Sequence, residues 1–141
     1  YTDKEPIRTE LVYKTEFNRE LATAYAHYAV SLHKAGILHR DLNCSNVLYE
    51  KTATGYTFEV IDINRMNLYD GEVPKAECME NITLFSDFND TFKYVLQAYA
   101  KARGWTQSDI DEAIRVKIRH DRNRARRKRF TRILKKYILG K

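Results

Sequence analysis

Two stretches decide how this chain reads: His39-Arg40-Asp41-Leu42-Asn43-Cys44-Ser45-Asn46 and Val60-Ile61-Asp62-Ile63-Asn64. The first mixes polar and apolar residues too irregularly for a helix. The second is an apolar run that ends in an aspartate. Between them, residues 47–49 and 56–61 read as two short strands around a turn at 50–55, which predicts a hairpin. A hairpin at this point folds Asp62 back against the loop that carries Asp41 and Asn46. Two acids and one amide then share a cleft. Hard divalent ions such as magnesium take one or two protein oxygen ligands together with phosphate oxygens and water. A remaining carboxylate accepts the proton of an attacking hydroxyl. Phosphoryl transfer needs both parts, held in place. Asp and Asn are also common turn residues, and a lone Asp–Asn pair would be read that way. The ordered eight-residue pattern, with a helix before it and a hairpin and aspartate after it, outweighs that reading.

Upstream, Phe17, Leu21, Ala24, Tyr25, Tyr28, Ala29 and Leu32 recur at three- and four-residue spacing and predict a helix over 15–35. Thr15 is placed to cap it and Gly36 to stop it. Residues 1–13 read as an extended or loop entry, and 62–74 as a loop. Downstream, helices are predicted over 75–85 and 88–102, the second with Phe92, Val95, Leu96 and Tyr99 inside and Gly104 closing it. A last helix starts near Asp109, capped by Thr106 or Ser108, and runs toward Leu139. The expected class is mostly α (α+β), helical with one small hairpin beside the polar loop.

The pattern His-Arg-Asp-Leu-x-x-x-Asn matches the catalytic loop of protein-kinase-like enzymes, and Asp62-Ile63-Asn64 stands where their Asp-Phe-Gly would be. The wider run from Leu32 to Tyr49, with Val60-Ile61-Asp62-Ile63-Asn64-Arg65, resembles the lipopolysaccharide kinases, which phosphorylate Kdo or heptose sugars of the bacterial inner core. The resemblance covers about residues 16 to 100. It implies a kinase C-terminal lobe and ATP- and Mg2+-dependent transfer to a sugar hydroxyl of a lipid-linked substrate. In that scheme Asp41 is the base, and Asn46 and Asp62 hold Mg2+ on the ATP phosphates. His39 packs the loop and bonds the backbone near Asp62, and Arg40 pairs with an acid of the following segment.

The chain departs from the kinase pattern in places. Asn43 stands where protein kinases usually place Lys, so the phosphate charge must be met from elsewhere. Asn64 replaces a mobile Gly, and no Ala-Pro-Glu follows. The short segment after Asp62 suits a small or glycan acceptor better than a peptide. Only 38 residues precede His39, and no glycine precedes Gly36. The Gly-rich loop, strand Lys and helix Glu of a nucleotide-covering lobe are therefore expected to be missing, and this piece alone should turn over negligibly.

At 141 residues, 43% hydrophobic and 12% aromatic, the chain is long and apolar enough for one folded domain. The net charge of +6 is unevenly spread: residues 115–141 hold 13 Lys or Arg and one acid, Asp121. Such a tail suggests an anionic partner. Phe130, Ile133, Leu134, Tyr137 and Ile138 follow helical spacing, so one reading docks that face on the lobe. Another lays the helix on an anionic membrane surface. Nucleic acid is the weakest partner, because no nucleic-acid-binding motif accompanies the arginines. From another class altogether, the chain reads as a pseudokinase or a basic binding module. Cys44 and Cys78 form neither a disulfide framework nor a zinc site. With no apolar run of membrane-spanning length, the expected place is the cytoplasm, peripheral at the inner membrane. The four histidines lack metal spacing, and His33 reads as an ordinary packing or surface residue.

Overall fold

The computed structural model describes residues 4–11 and 16–136. The elements run β1 (Glu5–Pro6), α1 (Ile7–Leu11), α2 (Arg19–Lys34), β2 (Ile37–His39), β3 (Val47–Thr52), β4 (Gly55–Val60), a short 3-10 turn (Ile63–Arg65), β5 (Met66–Leu68), α3 (Lys75–Ile82), α4 (Asp90–Arg103) and α5 (Gln107–Leu134). Helices dominate, and the strands form two small antiparallel sheets, in the order β1-β3-β4 and β2-β5. The mostly helical class and the hairpin agree with the sequence.

The core forms where α2 lies along α4. Leu21, Tyr25 and Ala29 of α2 meet Phe92, Leu96 and Tyr99 of α4, all buried. Tyr25 stacks on Phe85 with ring centroids 4.9 Å apart, and Tyr28 stacks on Phe58 of the hairpin at 5.1 Å. The hairpin is thereby fixed to α2, and the loop at 39–46 lies between them.

Local chemistry sets the boundaries. Asn18, not Thr15, caps α2: its Oδ1 accepts from the Leu21 N–H at 3.0 Å. Thr15 lies outside the described residues. Phe17, just before the cap, is held edge-on by Tyr94, which leaves Asn18 at the turn. Gly36 ends α2 with φ +80°, and a Cβ there would sit 2.5 Å from the Gly71 carbonyl oxygen and 2.6 Å from that of Tyr69. Only glycine fits both the backbone angle and the close approach. Asn89 caps α4, Gly104 closes it in the left-handed conformation, and Thr106 with Asp109 forms a reciprocal capping box on α5.

Three segments differ from the sequence expectation. The entry holds a two-residue strand and one helical turn, because Ile7 and Leu11 lie four apart and both bury completely. Part of 62–74 pairs instead of looping: β5 aligns with β2, His39 opposite Met66 and Ile37 opposite Leu68. Three-residue strands carrying His39 and Asn67 show no alternation that a pattern could reveal. The helix expected over 75–85 ends at Ile82, yet Phe85 stays buried from the turn beyond.

Helix α5 is rooted by Ile110, Ala113, Val116 and Lys117. From Arg122 to Lys136 every residue is exposed. Phe130 is 64% exposed, Ile133 47% and Leu134 39%, so these three do not dock on the body. Tyr137 and Ile138 lie outside the described residues. No helix here is long and apolar enough to cross a membrane, among the described residues.

Candidate active site

The site is assembled around one imidazole. His39, fully buried at the end of β2, accepts from the Asp41 N–H at Nδ1, 3.0 Å away. That fixes the proton on Nε2, which donates to the Ile61 carbonyl at 2.9 Å. A single ring thus spans from the backbone of Asp41 to the residue before Asp62. Asn46 adds two ties: its Nδ2 donates to the Asp41 carbonyl at 2.8 Å, and its own carbonyl accepts from the Ile61 N–H at 2.9 Å. The three residues singled out in the sequence, Asp41, Asn46 and Asp62, therefore stand on backbone segments cross-linked to one another.

Asn43 shapes the loop between them. Its Oδ1 accepts from the Ser45 N–H at 2.9 Å and its Nδ2 donates to Asp41 Oδ1 at 3.2 Å. Asp62 leaves β4 in the left-handed conformation, φ 58° and ψ 58°, the one non-glycine with positive φ among the described residues. Such a conformation costs roughly 1–2 kcal/mol for most residues and less for Asp. Here it turns the chain into the Ile63–Arg65 turn and on to β5. The Asp62 carboxylate is exposed, and no hydrogen bond or ion pair takes it among the described residues.

Asn46 Oδ1 and the Asp62 carboxylate are hard oxygen donors. No group of three or more His, Cys, Asp or Glu converges among the described residues, so there is no all-protein cage. An exposed carboxylate and a half-buried amide oxygen are the kind of donors that hold an ion such as Mg2+ completed by phosphate oxygens and water.

Arg40 departs from the expectation that it pairs with an acid. Its Nε donates at 2.5 Å to Oδ1 of Asn67, the β5 residue opposite Leu38, and its N–H donates to the Arg65 carbonyl at 2.7 Å. The Arg binds what the β2–β5 ladder sets beside it, and that position is an amide.

A buried relay that the sequence did not reveal supports the loop from behind. Asn81 of α3 donates from Nδ2 to the His39 carbonyl at 2.8 Å and accepts from His33 Nε2 at 2.8 Å. His33 Nδ1 accepts from the Tyr99 hydroxyl at 2.7 Å, which in turn accepts from Arg103 Nη1 at 2.7 Å. Arg103 also pairs with Glu72 at 3.2 Å. Burial pushes the His33 pKa below the usual imidazole value. The available signal was His33 lying four residues after Ala29 on the apolar stripe of α2.

Asp41 opens on a cleft of about 520 Å³. The loop residues Asn43, Cys44 and Ser45 form one side and the turn Thr83–Asp87 another. Arg8 of α1 and His120, Arg124 and Arg127 of α5 complete it. Asn46 and Asp62, the two candidate cation ligands, do not line this cleft. Cys44 is buried, which raises its thiol pKa and leaves it a poor nucleophile. Lys117, 2% exposed, reaches from α5 to donate to the Thr83 carbonyl at 2.7 Å and to the Ser86 carbonyl, and pairs with Asp121 at 3.1 Å. It bolts the cleft's turn to the helix. A charged residue on the stripe Ile110, Ala113, Val116 was the signal for it.

The family model for the lipopolysaccharide kinase (Kdo/WaaP) family matches residues 5–117. The chain belongs to this family. The match takes in the His39 loop, the hairpin, the relay and the root of α5, and it stops at Lys117. Among solved structures, the chain is similar to "WaaP in complex with acyl carrier protein" at 19% identity and a TM-score of 0.48, over 70% of this chain and 48% of that one. The chain thus spans about half the length of that relative. A search of curated proteins finds no match.

Proposed function

We propose that this chain supplies the catalytic residues of an ATP- and Mg2+-dependent kinase that phosphorylates a hydroxyl of a lipopolysaccharide inner-core sugar, Kdo or heptose. The observation that carries the reading is the His39 bridge, which ties Asp41 to the segment bearing Asp62 through one imidazole tautomer. In this reading Asp41 receives the proton of the acceptor hydroxyl as its oxygen bonds to the terminal phosphorus of ATP and the bond to the ADP oxygen breaks. Bound Mg2+ supplies charge neutralisation on the phosphates. Asn46 Oδ1 and the Asp62 carboxylate hold it, and His39 and Asn81 keep the loop in register without touching substrate. The chain acts as the C-terminal lobe, and a nucleotide-covering lobe completes it.

The test is ATP-dependent phosphorylation of Kdo-bearing lipid A precursors by the full-length parent protein. Asp41→Ala is expected to remove at least 10²-fold of the rate, as loss of a general base does, with folding unchanged. Undiminished transfer by this variant, or robust turnover by the 141 residues alone, would defeat the reading.

A second reading concerns location. The stretch Arg122–Lys136 leaves Phe130, Ile133 and Leu134 exposed among lysines and arginines, a composition that suits the surface of an anionic bilayer. The enzyme in this reading sits peripherally at the cytoplasmic face of the inner membrane, where a lipid-linked sugar is presented. Flotation with anionic liposomes should require residues 115–141, and unchanged binding without them would remove the idea.

A further inference from the structure

The family match ends at Lys117, yet the wall of the cleft facing Asp41 continues past it. Arg124 and Arg127 lie one turn apart on α5, and both line the cleft that Asp41 and Asn43 floor. Neither makes a hydrogen bond or ion pair among the described residues, and both are exposed. Arg8 lines the same cleft, with Nη1 donating to Ser45 Oγ at 3.3 Å. His120 stands beside them and is held by Asp121 at 3.3 Å. Against these bases the cleft sets two acids, Asp41 and Asp87. Arg124 and Arg127 thus bring two guanidinium groups, with no partner among the described residues, to the rim of the cleft that holds Asp41, where one anion can meet both.

The position of that charge decides what it serves. Asn46 and Asp62, the candidate ligands of the nucleotide's cation, are absent from the cleft lining, so the arginines line a cleft that those two residues do not share, which leaves it for the acceptor. The helix that carries Arg124 and Arg127 is anchored just before them. Lys117, two turns N-terminal to Arg124, is bonded to the Thr83 and Ser86 carbonyls that shape the same cleft. Phe85, in that turn, accepts from the Cys44 N–H at 3.2 Å. Helix, turn and Asp41 loop form one connected frame.

We infer that Arg124 and Arg127 form an anion clamp for the acceptor, binding a carboxylate or phosphate carried on the sugar next to the hydroxyl that Asp41 addresses. Arg suits this role because its planar fork bonds both oxygens of a carboxylate or phosphate at once. The clamp puts the start of the basic tail to work in acceptor recognition and leaves only the stretch beyond it for other anionic surfaces. This inference rests on the assignment of Asp41 as the base. It adds a selectivity that the assignment does not require.

The test is a binding measurement without ATP, by calorimetry on the full 141-residue chain. The probes are Kdo, its neutral methyl ester, glucose 6-phosphate and mannose. Wild type is expected to bind Kdo at least about 10-fold more tightly than the ester, the discrimination that one lost charge-assisted pair gives. The double substitution Arg124→Gln, Arg127→Gln is expected to bring Kdo down to the level of the ester while the urea midpoint stays fixed. Preference for glucose 6-phosphate over Kdo would assign the anion to a phosphate on the acceptor and would still support the clamp. Equal binding of Kdo and its ester, a preference that survives the double substitution, or no Kdo binding at millimolar concentration would overturn it. The kinase reading fails separately. If Asp41→Ala in the full-length parent leaves transfer intact while the charge preference persists here, the clamp stands and the base assignment falls.

Discussion

Lys117→Met removes the bolt between α5 and the cleft and isolates what it contributes. Methionine keeps the length and most of the volume of the lysine stem, so packing is conserved. Two carbonyls, of Thr83 and Ser86, lose their donor, and an acceptor left unsatisfied in the interior costs about 1–3 kcal/mol. The cation over the Phe92 ring at 5.1 Å is lost as well, worth about 0.5–2 kcal/mol. Against this, methionine no longer has to bury an ammonium whose pKa burial already holds below the ordinary lysine value. The net expectation is a loss of about 3 kcal/mol, which at a urea m-value of about 1.5 kcal/mol/M lowers the midpoint by about 2 M. The contrasting variant is Asp121→Asn. The Asp121 side chain is 33% exposed, and a pair of that kind is worth about 1 kcal/mol or less. Urea unfolding of both variants, followed by circular dichroism, decides the matter. If Asp121→Asn costs as much as Lys117→Met, the ion pair dominates and the argument from the two carbonyls is wrong. A neutral Lys117→Met would refute it outright.

Three other outcomes follow from the same geometry. The His33 pKa is lowered in the folded chain, so between that value and about 6.5 the unfolded chain binds more protons. Stability is therefore full above the unfolded pKa and falls as pH drops below about 6.5, by up to about 1.4 kcal/mol per pH unit. His33→Gln should flatten that part of a urea-midpoint profile, and an unchanged slope would exclude His33 as its source. Gly36→Ala sets a methyl against the Tyr69 and Gly71 carbonyls at a positive φ. It should cost at least about 2 kcal/mol in the same unfolding assay, and a stabilised protein would contradict the close approach. Asp62→Asn keeps a side chain tolerant of the left-handed conformation, so thermal unfolding should be unchanged. Mn2+ binding in the presence of ADP, read by electron paramagnetic resonance, should weaken at least about 10-fold. Equal Mn2+ binding would remove Asp62 from the cation site.

The parts of the fold that repeat were legible. The stripe of α2 from Leu21 to Ala29, the hairpin, the stop at Gly104 and the Thr106 cap each leave a local signature, because a helix face, a turn or a cap is set by residues within one or two turns. The return of Asp62 to the loop of Asp41 and Asn46 was legible because a hairpin brings its two ends together. The β2–β5 ladder was not, since three-residue strands have no period to read. Asn81 and Lys117 were hidden for another reason. Each bonds backbone carbonyls 31 or more positions away in sequence, and a carbonyl carries no residue identity to search for. The cleft's arginines were visible as charge but not as a wall, because only the path of α5 past the 83–87 turn sets Arg124 and Arg127 beside Asp41.

The line of bonds from Arg103 through Tyr99, His33 and Asn81 to the His39 carbonyl runs in one direction only. The guanidinium at one end can only give a proton and the carbonyl at the other can only receive one, so every hydroxyl, ring and amide between them has a single allowed orientation. Nothing along the line is free to flip, and no proton disorder is left to blur the position of the loop. The five residues are therefore readable as one word rather than five letters. A replacement that preserves size but reverses a donor for an acceptor breaks the whole line, whereas two matched replacements that keep the direction leave the His39 loop where it is.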